Sequence, residues 1–558
     1  MGAKVQTRPH PVNAGAAQRK MALAIAVTAA SIRAMQKISL LTAALLASVP
    51  AAAAMPPPLP DVAGKDAATL QAEMTAGETS SEVITAAYLE RIRNIDKAGP
   101  TLNAVIAVFP GAMSEAYRLD QERKAGHVRG PLHGIPVLLK DNIEAAGPVA
   151  TTAGSLALKG NITGRDAPLV ARLREGGAVI LGKTNLSEWA NIRSNDATSG
   201  WSAVGGLTRN PHAIDRNTCG SSAGSGAAAA ASLAPLTIGT ETDGSITCPS
   251  GMNGVVGFKP TVGLVSRSLV VPISHSQDTA GPMTLTVRDA ATLLSVMAGS
   301  DPADPATAEA DAHRRDFAAA LSPDALRGKT IGVLRDRIGG RADIVALFDA
   351  ALDTMRAAGA TIVEIKDSRS GLAGLGDAEF EILMTELKAD MAAYLAGLPG
   401  KGAPRSLADL IAFNKATPAE MRWFDQSLFE LAESKGGLDS QPYRDAKAKA
   451  ARLAGPEGID RLLRESGADL LVGVTNGPAW TTDLVNGDHY TGPGVSQLPA
   501  VAGYPHLTVP MGAVEGLPIG LSFIGTKWSD GDILAAGYAY EQASRKRVAP
   551  TYRASITP

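Results

Sequence analysis

Two glycine-rich loops each carry a serine suited to act as a nucleophile, and Ser221 and Ser245 stand 24 positions apart. The first loop reads Cys219-Gly220-Ser221-Ser222-Ala223-Gly224-Ser225-Gly226, the second Gly239-Thr240-Glu241-Thr242-Asp243-Gly244-Ser245-Ile246. Loops of this kind hold a hydroxyl in a tight turn among exposed backbone N–H groups, which is what a nucleophile beside an oxyanion hole requires. A third reactive group, Lys140, ends the apolar run Val137-Leu138-Leu139. A lysine at a strand end is ordinarily solvated. If the strand is buried, desolvation lowers its pKa towards neutrality and turns it into a general base.

The segment between the serines must position them. Ala227 to Ala234 is alanine-rich, and Pro235 then introduces the short apolar run Leu236-Thr237-Ile238-Gly239. This reads as loop, helix, strand, loop. A helix of about a dozen residues spans roughly 18 Å and a five-residue strand returns roughly 17 Å, so the spacing allows the two serine loops to meet. Cys219 and Cys248, the only cysteines, flank the two serines. Disulfide geometry is demanding, so the expected state is two buried thiols packed as small hydrophobes, with a bridge as the alternative.

Other chemistries fit less well. Gly220-Ser221-Ser222-Ala223-Gly224 matches the G-x-S-x-G elbow of α/β-hydrolases, with Ser222 as nucleophile. That motif needs a strand running into it, whereas Arg209 to Asn217 reads as loop, and only His489 and His506 offer themselves as downstream partners. Gly224-x-Gly226-x-x-Ala229 resembles a dinucleotide loop but lacks the preceding strand and a suitably spaced acid, so it reads as a close-packed helix start. No Walker A loop, H-E-x-x-H or EF-hand pattern occurs, and no cofactor or metal is expected. A formal net charge of −2 gives no footing for nucleic acid.

The elements read as α/β. Two helices cover residues 66–96, the second opened by the capping box Thr79-Ser80-Ser81-Glu82. Strands are expected over 104–109, 134–140, 178–181, 254–258, 330–334, 360–365, 507–510 and 519–524, alternating with helices such as 170–175. Residues 370–465 read as a mainly helical insertion. The whole of 65–545 is expected to be one domain, after an extended proline-rich stretch 55–64 and before a tail 546–558. The N-terminus carries a secretory signal: Met35-Gln36-Lys37, the apolar run Ile38 to Ala47, then a small-residue cleavage site ending near Ala54. Translation is expected to begin at Met35 and the mature protein to be periplasmic or secreted, without a stable membrane anchor.

The combination of Lys140, Gly-Ser-Ser-x-Gly-Ser and Gly-Thr-x-x-x-Gly-Ser-Ile at this spacing resembles the amidase signature family. Gly182-Lys183-Thr184-Asn185, Gly254-Val255-Val256-Gly257-Phe258-Lys259-Pro260 and Asp278-Thr279-Ala280-Gly281-Pro282-Met283 extend the resemblance over essentially residues 65–545. Asn185-Leu186-Ser187-Glu188-Trp189, Gly200-Trp201-Ser202 and the stretch Arg405 to Asn414 make the chain most similar to the family's bacterial peptide amidase branch. The resemblance implies a large mixed sheet surrounded by helices and a Ser–cis-Ser–Lys triad. Ser245 would form the acyl-enzyme, Ser221 with a cis Gly220–Ser221 bond would relay the proton, and neutral Lys140 would be the base. The backbone N–H groups of Thr242, Asp243 and Gly244 would form the oxyanion hole. It further implies hydrolysis of a carboxamide, foremost the C-terminal amide of peptides. Thr247 stands where the family often has an arginine, which disfavours small dicarboxylate half-amides. Broader aliphatic or fatty amide hydrolysis and a non-catalytic amide-binding role are the alternatives. The amidotransferase subunit acting on mischarged tRNA is disfavoured by export. A small-molecule or peptide amide partner and a monomer are expected.

Overall fold

A long mixed sheet forms the spine of the molecule. The computed structural model describes residues 59–400, 403–490 and 492–556, so the proposed start at Met35 and the cleavage site near Ala54 lie outside the described residues. The strands are β1 (Val105–Val108), β2 (Pro136–Lys140), β3 (Val179–Thr184), β4 (Trp201–Ser202), β5 (Gly206–Leu207), β6 (Leu236–Glu241), β7 (Val256–Lys259), β8 (Thr279–Thr284), β9 (Thr330–Leu334), β10 (Thr361–Ile365), β11 (Leu470–Val474), β12 (His506–Val514) and β13 (Leu517–Ile524). Eleven of them form one sheet in the order β1-β3-β2-β6-β8-β7-β12-β13-β11-β9-β10, while β4 and β5 pair separately. The α/β architecture and each strand expected from the sequence are present, with shifts of a few residues at the ends.

Strands β3, β2 and β6 run parallel, with Leu139 of β2 opposite Lys183 of β3 and Ile238 of β6. Every residue of these three strands is buried. A parallel strand covered on both faces must be apolar throughout, which is why Val137-Leu138-Leu139 and Val179-Ile180-Leu181 read as continuous runs rather than alternations. The covering element beside β6 is the helix Ala223–Ala230, composed of Ala, Gly and Ser and buried along its whole length. A Cβ on Gly224 would stand 2.3 Å from Ala104 O and 2.5 Å from Asn185 O, so glycine is what lets this helix approach so closely. The glycine pattern is thus a packing device, as expected.

Residues 370–465 are mainly helical, with helices Leu375–Ala396, Leu407–Ala416, Ser427–Ser434, Gln441–Ala454 and Asp460–Ser466. Leu375, Ala378, Ile382, Tyr443, Ala446 and Leu453 share one apolar cluster that seats this layer against β11 and β13. The chain beyond 545 returns to the body: Tyr552 N donates to Pro211 O and Ile214 N to Arg553 O. Among the described residues no helix is long and apolar enough to cross a membrane.

The capping box is shifted. Ser80, not Thr79, is the N-cap of Ser81–Arg91, accepting from Val83 N at 3.2 Å. Glu82 does not reach back. Instead Asp120, on the neighbouring helix Ala112–Lys124, accepts from Ser81 N (2.8 Å) and Glu82 N (2.9 Å). A tertiary carboxylate satisfies the first-turn donors that a local one was expected to take.

Candidate active site

Because β2 and β6 are parallel neighbours, their C-terminal ends open on the same edge of the sheet, where open α/β sheets place their ligands. Lys140 ends β2. The chain leaves β6 at Glu241 into the loop bearing Ser245, and then enters the helix Thr247–Asn253. The serine loops meet: Ser222 N donates to Ser245 O at 3.1 Å. The Gly220–Ser221 peptide bond is cis. Ser221 O accepts from Ser187 N at 3.0 Å, and a Cβ on Gly220 would lie 2.2 Å from Ser187 Oγ. Cys219 and Cys248 are joined by a disulfide, which overturns the expectation of two free thiols. The helix–strand return brings their Cα atoms to 5.9 Å, within the range that a bridge demands.

Lys140 is fully buried, with Nζ 2.7 Å from Ser221 Oγ, 2.8 Å from Thr240 Oγ1 and 3.2 Å from Thr240 O. Asn142 Nδ2 donates to the same Thr240 hydroxyl at 2.9 Å. No carboxylate lies within ion-pair distance of Nζ among the described residues. Burial therefore prevails and pushes the lysine down to about 7, with only partial opposition from the more distant charges of Asp278 and Glu241. A neutral amine has two N–H bonds, which Thr240's two oxygens can take. Its lone pair then faces the Ser221 hydroxyl.

The Ser245 loop is held from three sides. Glu241 Oε2 accepts from Ile246 N (2.7 Å) and Thr247 N (2.9 Å), closing the start of the helix Thr247–Asn253. Thr242 Oγ1 donates to Asp278 Oδ1 at 2.6 Å, and Asp278 Oδ2 accepts from Ile273 N and Ser274 N. Asp243 sits against Ser496 and Glu379. Burial and the Glu379 carboxylate raise the Asp243 carboxyl well above its ordinary range. Glu379 in turn accepts from Gln277 Nε2 (3.1 Å) and Gln497 Nε2 (2.9 Å). Gly244 adopts φ +76°, which glycine takes at no cost. Among the described residues, no backbone acceptor takes the N–H groups of Thr242, Asp243, Gly244 or Ser245. These N–H groups therefore point to no backbone carbonyl among the described residues, which leaves them able to meet a ligand oxygen.

The elbow reading fails on geometry. Ser222 Oγ donates to Thr240 O (3.0 Å) and accepts from Thr240 N (3.2 Å), so this buried serine ties its loop to β6. His489 is exposed, 3.7 Å from Asp483, and His506 is buried against Ser522 Oγ at 2.7 Å. Neither makes contact with a serine loop. Thr240, Glu241 and Asp278 fall inside sequence motifs that assign them no role, and no local pattern marks Glu379. One described cluster has metal-ligand spacing, His275, Glu386 and Asp390. His275 already bridges Asp390 (2.9 Å) and Glu386 (3.1 Å), and Lys447 Nζ lies 3.4 Å from Glu386, so a cation is in place.

A family model described as Amidase matches residues 83–534. The chain belongs to the amidase signature family. The fold, the sheet and the amide-hydrolysing character of the enzyme follow from that membership. Native peptide amidase from Stenotrophomonas maltophilia is 51% identical with a TM-score of 0.83, the alignment covering 89% of this chain and 100% of that one. A peptide amidase solved with the competitive inhibitor chymostatin is 52% identical with a TM-score of 0.84, covering 88% and 99%. A probable amidase of Arabidopsis thaliana is 38% identical over 483 residues, 85% of this chain and 88% of its own.

Proposed function

We propose that this amidase hydrolyses the C-terminal carboxamide of peptides to the free acid and ammonia, through an acyl-enzyme on Ser245. The observation that carries the chemistry is the contact of buried Lys140 Nζ with Ser221 Oγ at 2.7 Å, at a lysine whose pKa burial brings to about 7. Neutral Lys140 takes the Ser221 proton as Ser221 takes the Ser245 proton, and Ser245 Oγ attacks the amide carbon. The N–H groups of Thr242, Asp243, Gly244 and Ser245 receive the oxyanion. Removing one such donor typically costs about 3 kcal/mol of barrier stabilisation. Ser221 then protonates the departing nitrogen, ammonia leaves, and Lys140 returns the proton to Ser221. Water enters by the same relay and releases the acid.

The peptide substrate is supported by similarity to peptide amidases at about half identity over nearly the whole chain. The reading includes export of a monomer: a start at Met35 and cleavage near Ala54 would deliver the chain to the periplasm or medium. The Cys219–Cys248 bond is at home there. N-terminal sequencing of secreted protein tests the processing, and a mature end far from residue 55 would refute it. Ammonia release from a panel of peptide amides, free amino acid amides and fatty amides tests the substrate. Peptide amides should be turned over fastest and Ser245→Ala should be inert. An active Ser245→Ala protein would end the mechanism, and a preference for fatty amides would end the substrate assignment.

A further inference from the structure

A cleft of about 1070 Å³ reaches the Ser245 loop through Ser496, while a second cavity, of about 490 Å³, is lined by Asn142, Thr240 and Thr242 themselves. The wall of the larger cleft includes Ser496, whose hydroxyl is 3.3 Å from where a Cβ on Gly244 would stand, and Gln497, which holds Glu379. It is lined further by residues 336–341, Arg369 and residues 371–376. The charged residues lining it are Arg216, Arg337, Arg341 and Arg369 against Asp336 and Glu515. Positive charge therefore exceeds negative around the cleft.

Two of the arginines already have partners: Arg341 with Asp343 (2.6 Å) and Arg216 with Asp215 (3.5 Å). Arg337 and Arg369 have no ion-pair partner: among the described residues neither has a carboxylate within 4.0 Å. Arg337 is half-buried. Its Nε donates to Ser368 Oγ (2.6 Å) and its Nη2 to Ser368 O (3.4 Å), which fixes the guanidinium and leaves Nη1 without an acceptor. The adjacent acid is engaged elsewhere, since Asp336 Oδ2 accepts from both Ser368 N and Ser368 Oγ at 3.1 Å. Arg369 is exposed beside it. Burial, and then the like charge of Arg369, push the Arg337 pKa down, with the Asp336 charge opposing them only in part. Guanidinium groups held as an open fork are carboxylate receptors, because two parallel N–H bonds match one carboxylate.

We infer that Arg337 and Arg369 form an anion subsite in this cleft, selecting peptide carboxamides that carry an acidic side chain upstream of the scissile amide. This rests on the reading of the enzyme as a peptide amidase. The subsite adds a substrate class: acidic peptides, drawn in by charge and oriented by the arginine fork.

The test uses N-acetylated pentapeptide amides in which Glu, Gln or Lys is placed in turn at the second, third and fourth residue from the amide. At low salt, kcat/KM should fall in the order Glu, Gln, Lys at one of these positions. The Glu-to-Gln ratio should be on the order of tenfold and shrink as ionic strength rises. Arg337→Gln with Arg369→Gln should bring that ratio close to one. Arg369→Glu, a change at an exposed side chain without partners, should invert the order in favour of Lys. Equal rates for Glu and Gln peptides at all three positions, or a ratio unchanged in the double variant, would overturn the subsite. If no peptide amide is hydrolysed, the functional reading fails instead. Calorimetric binding of the Glu and Gln peptide amides to Ser245→Ala then tests the subsite alone: tighter Glu binding, lost in the double variant, upholds it, and equal binding overturns it.

Discussion

Two fully buried lysines on adjacent strands, Lys140 of β2 and Lys183 of β3, show what separates a base from a structural cation. Leu139, not Lys140, stands opposite Lys183, so the two ammonium groups project to opposite faces of the sheet. Burial lowers both pKa values. Their surroundings differ. Lys183 Nζ lies 3.7 Å from Asp141 Oδ1, donates to Thr151 Oγ1 at 2.9 Å and bonds Ile143 O, which ties down the loop after β2. Lys140 touches hydroxyl and carbonyl oxygens without a carboxylate, and one of those hydroxyls belongs to Ser221. Burial alone makes a lysine costly. Burial without a counterion, beside a serine, makes it usable.

Removing each lysine in turn separates the two roles most sharply. Lys140→Ala should lower kcat/KM by about 10²- to 10⁴-fold near neutral pH, the range of a lost general base, as measured by ammonia release. The folded protein should be retained. Lys183→Met should act mainly on the fold. It leaves Asp141 buried without its cation and should destabilise by about 3–5 kcal/mol in denaturant unfolding. Equal activity losses with equal stability in the two variants would erase the distinction.

A smaller effect comes from the link between the serine loops. Replacing both cysteines by serine opens a bridge between residues 29 apart and should cost about 2–4 kcal/mol of stability. An unchanged melting midpoint with and without reductant would contradict the disulfide. Smallest is Thr240→Val, which removes one acceptor from Lys140 and should cost about 1 kcal/mol. That acceptor favours the charged amine, so its loss should move the acid limb of the rate profile to lower pH. A limb moving upward would assign Thr240 a different role.

The parts of this site that depend on local pattern were legible in the sequence. The apolar run ending at Lys140 marked a strand whose burial would make that lysine a base, and the Ala-rich stretch with its apolar return allowed Ser221 and Ser245 to meet. What resisted reading depends on distant contacts. Asp120 moved a helix cap by one residue because it reaches in from another helix. The bridge between Cys219 and Cys248 turns on how far apart the loops stand, which no spacing rule fixes. Glu379 is one carboxylate among many on a long helix, and only the folded insertion sets it against Asp243. Arg337 and Arg369 likewise draw their meaning from the cleft they line together.

The central claim is that Lys140 works as a neutral amine. The pH dependence of kcat/KM for a peptide amide tests it most directly. A lysine at about 7 is protonated and inactive below that value and free above it, so the rate should rise tenfold per unit on the acid side and level off above about 7. An activity that keeps rising towards pH 10, as an ordinary lysine would require, or one that is flat from pH 5 to 9, would contradict the account.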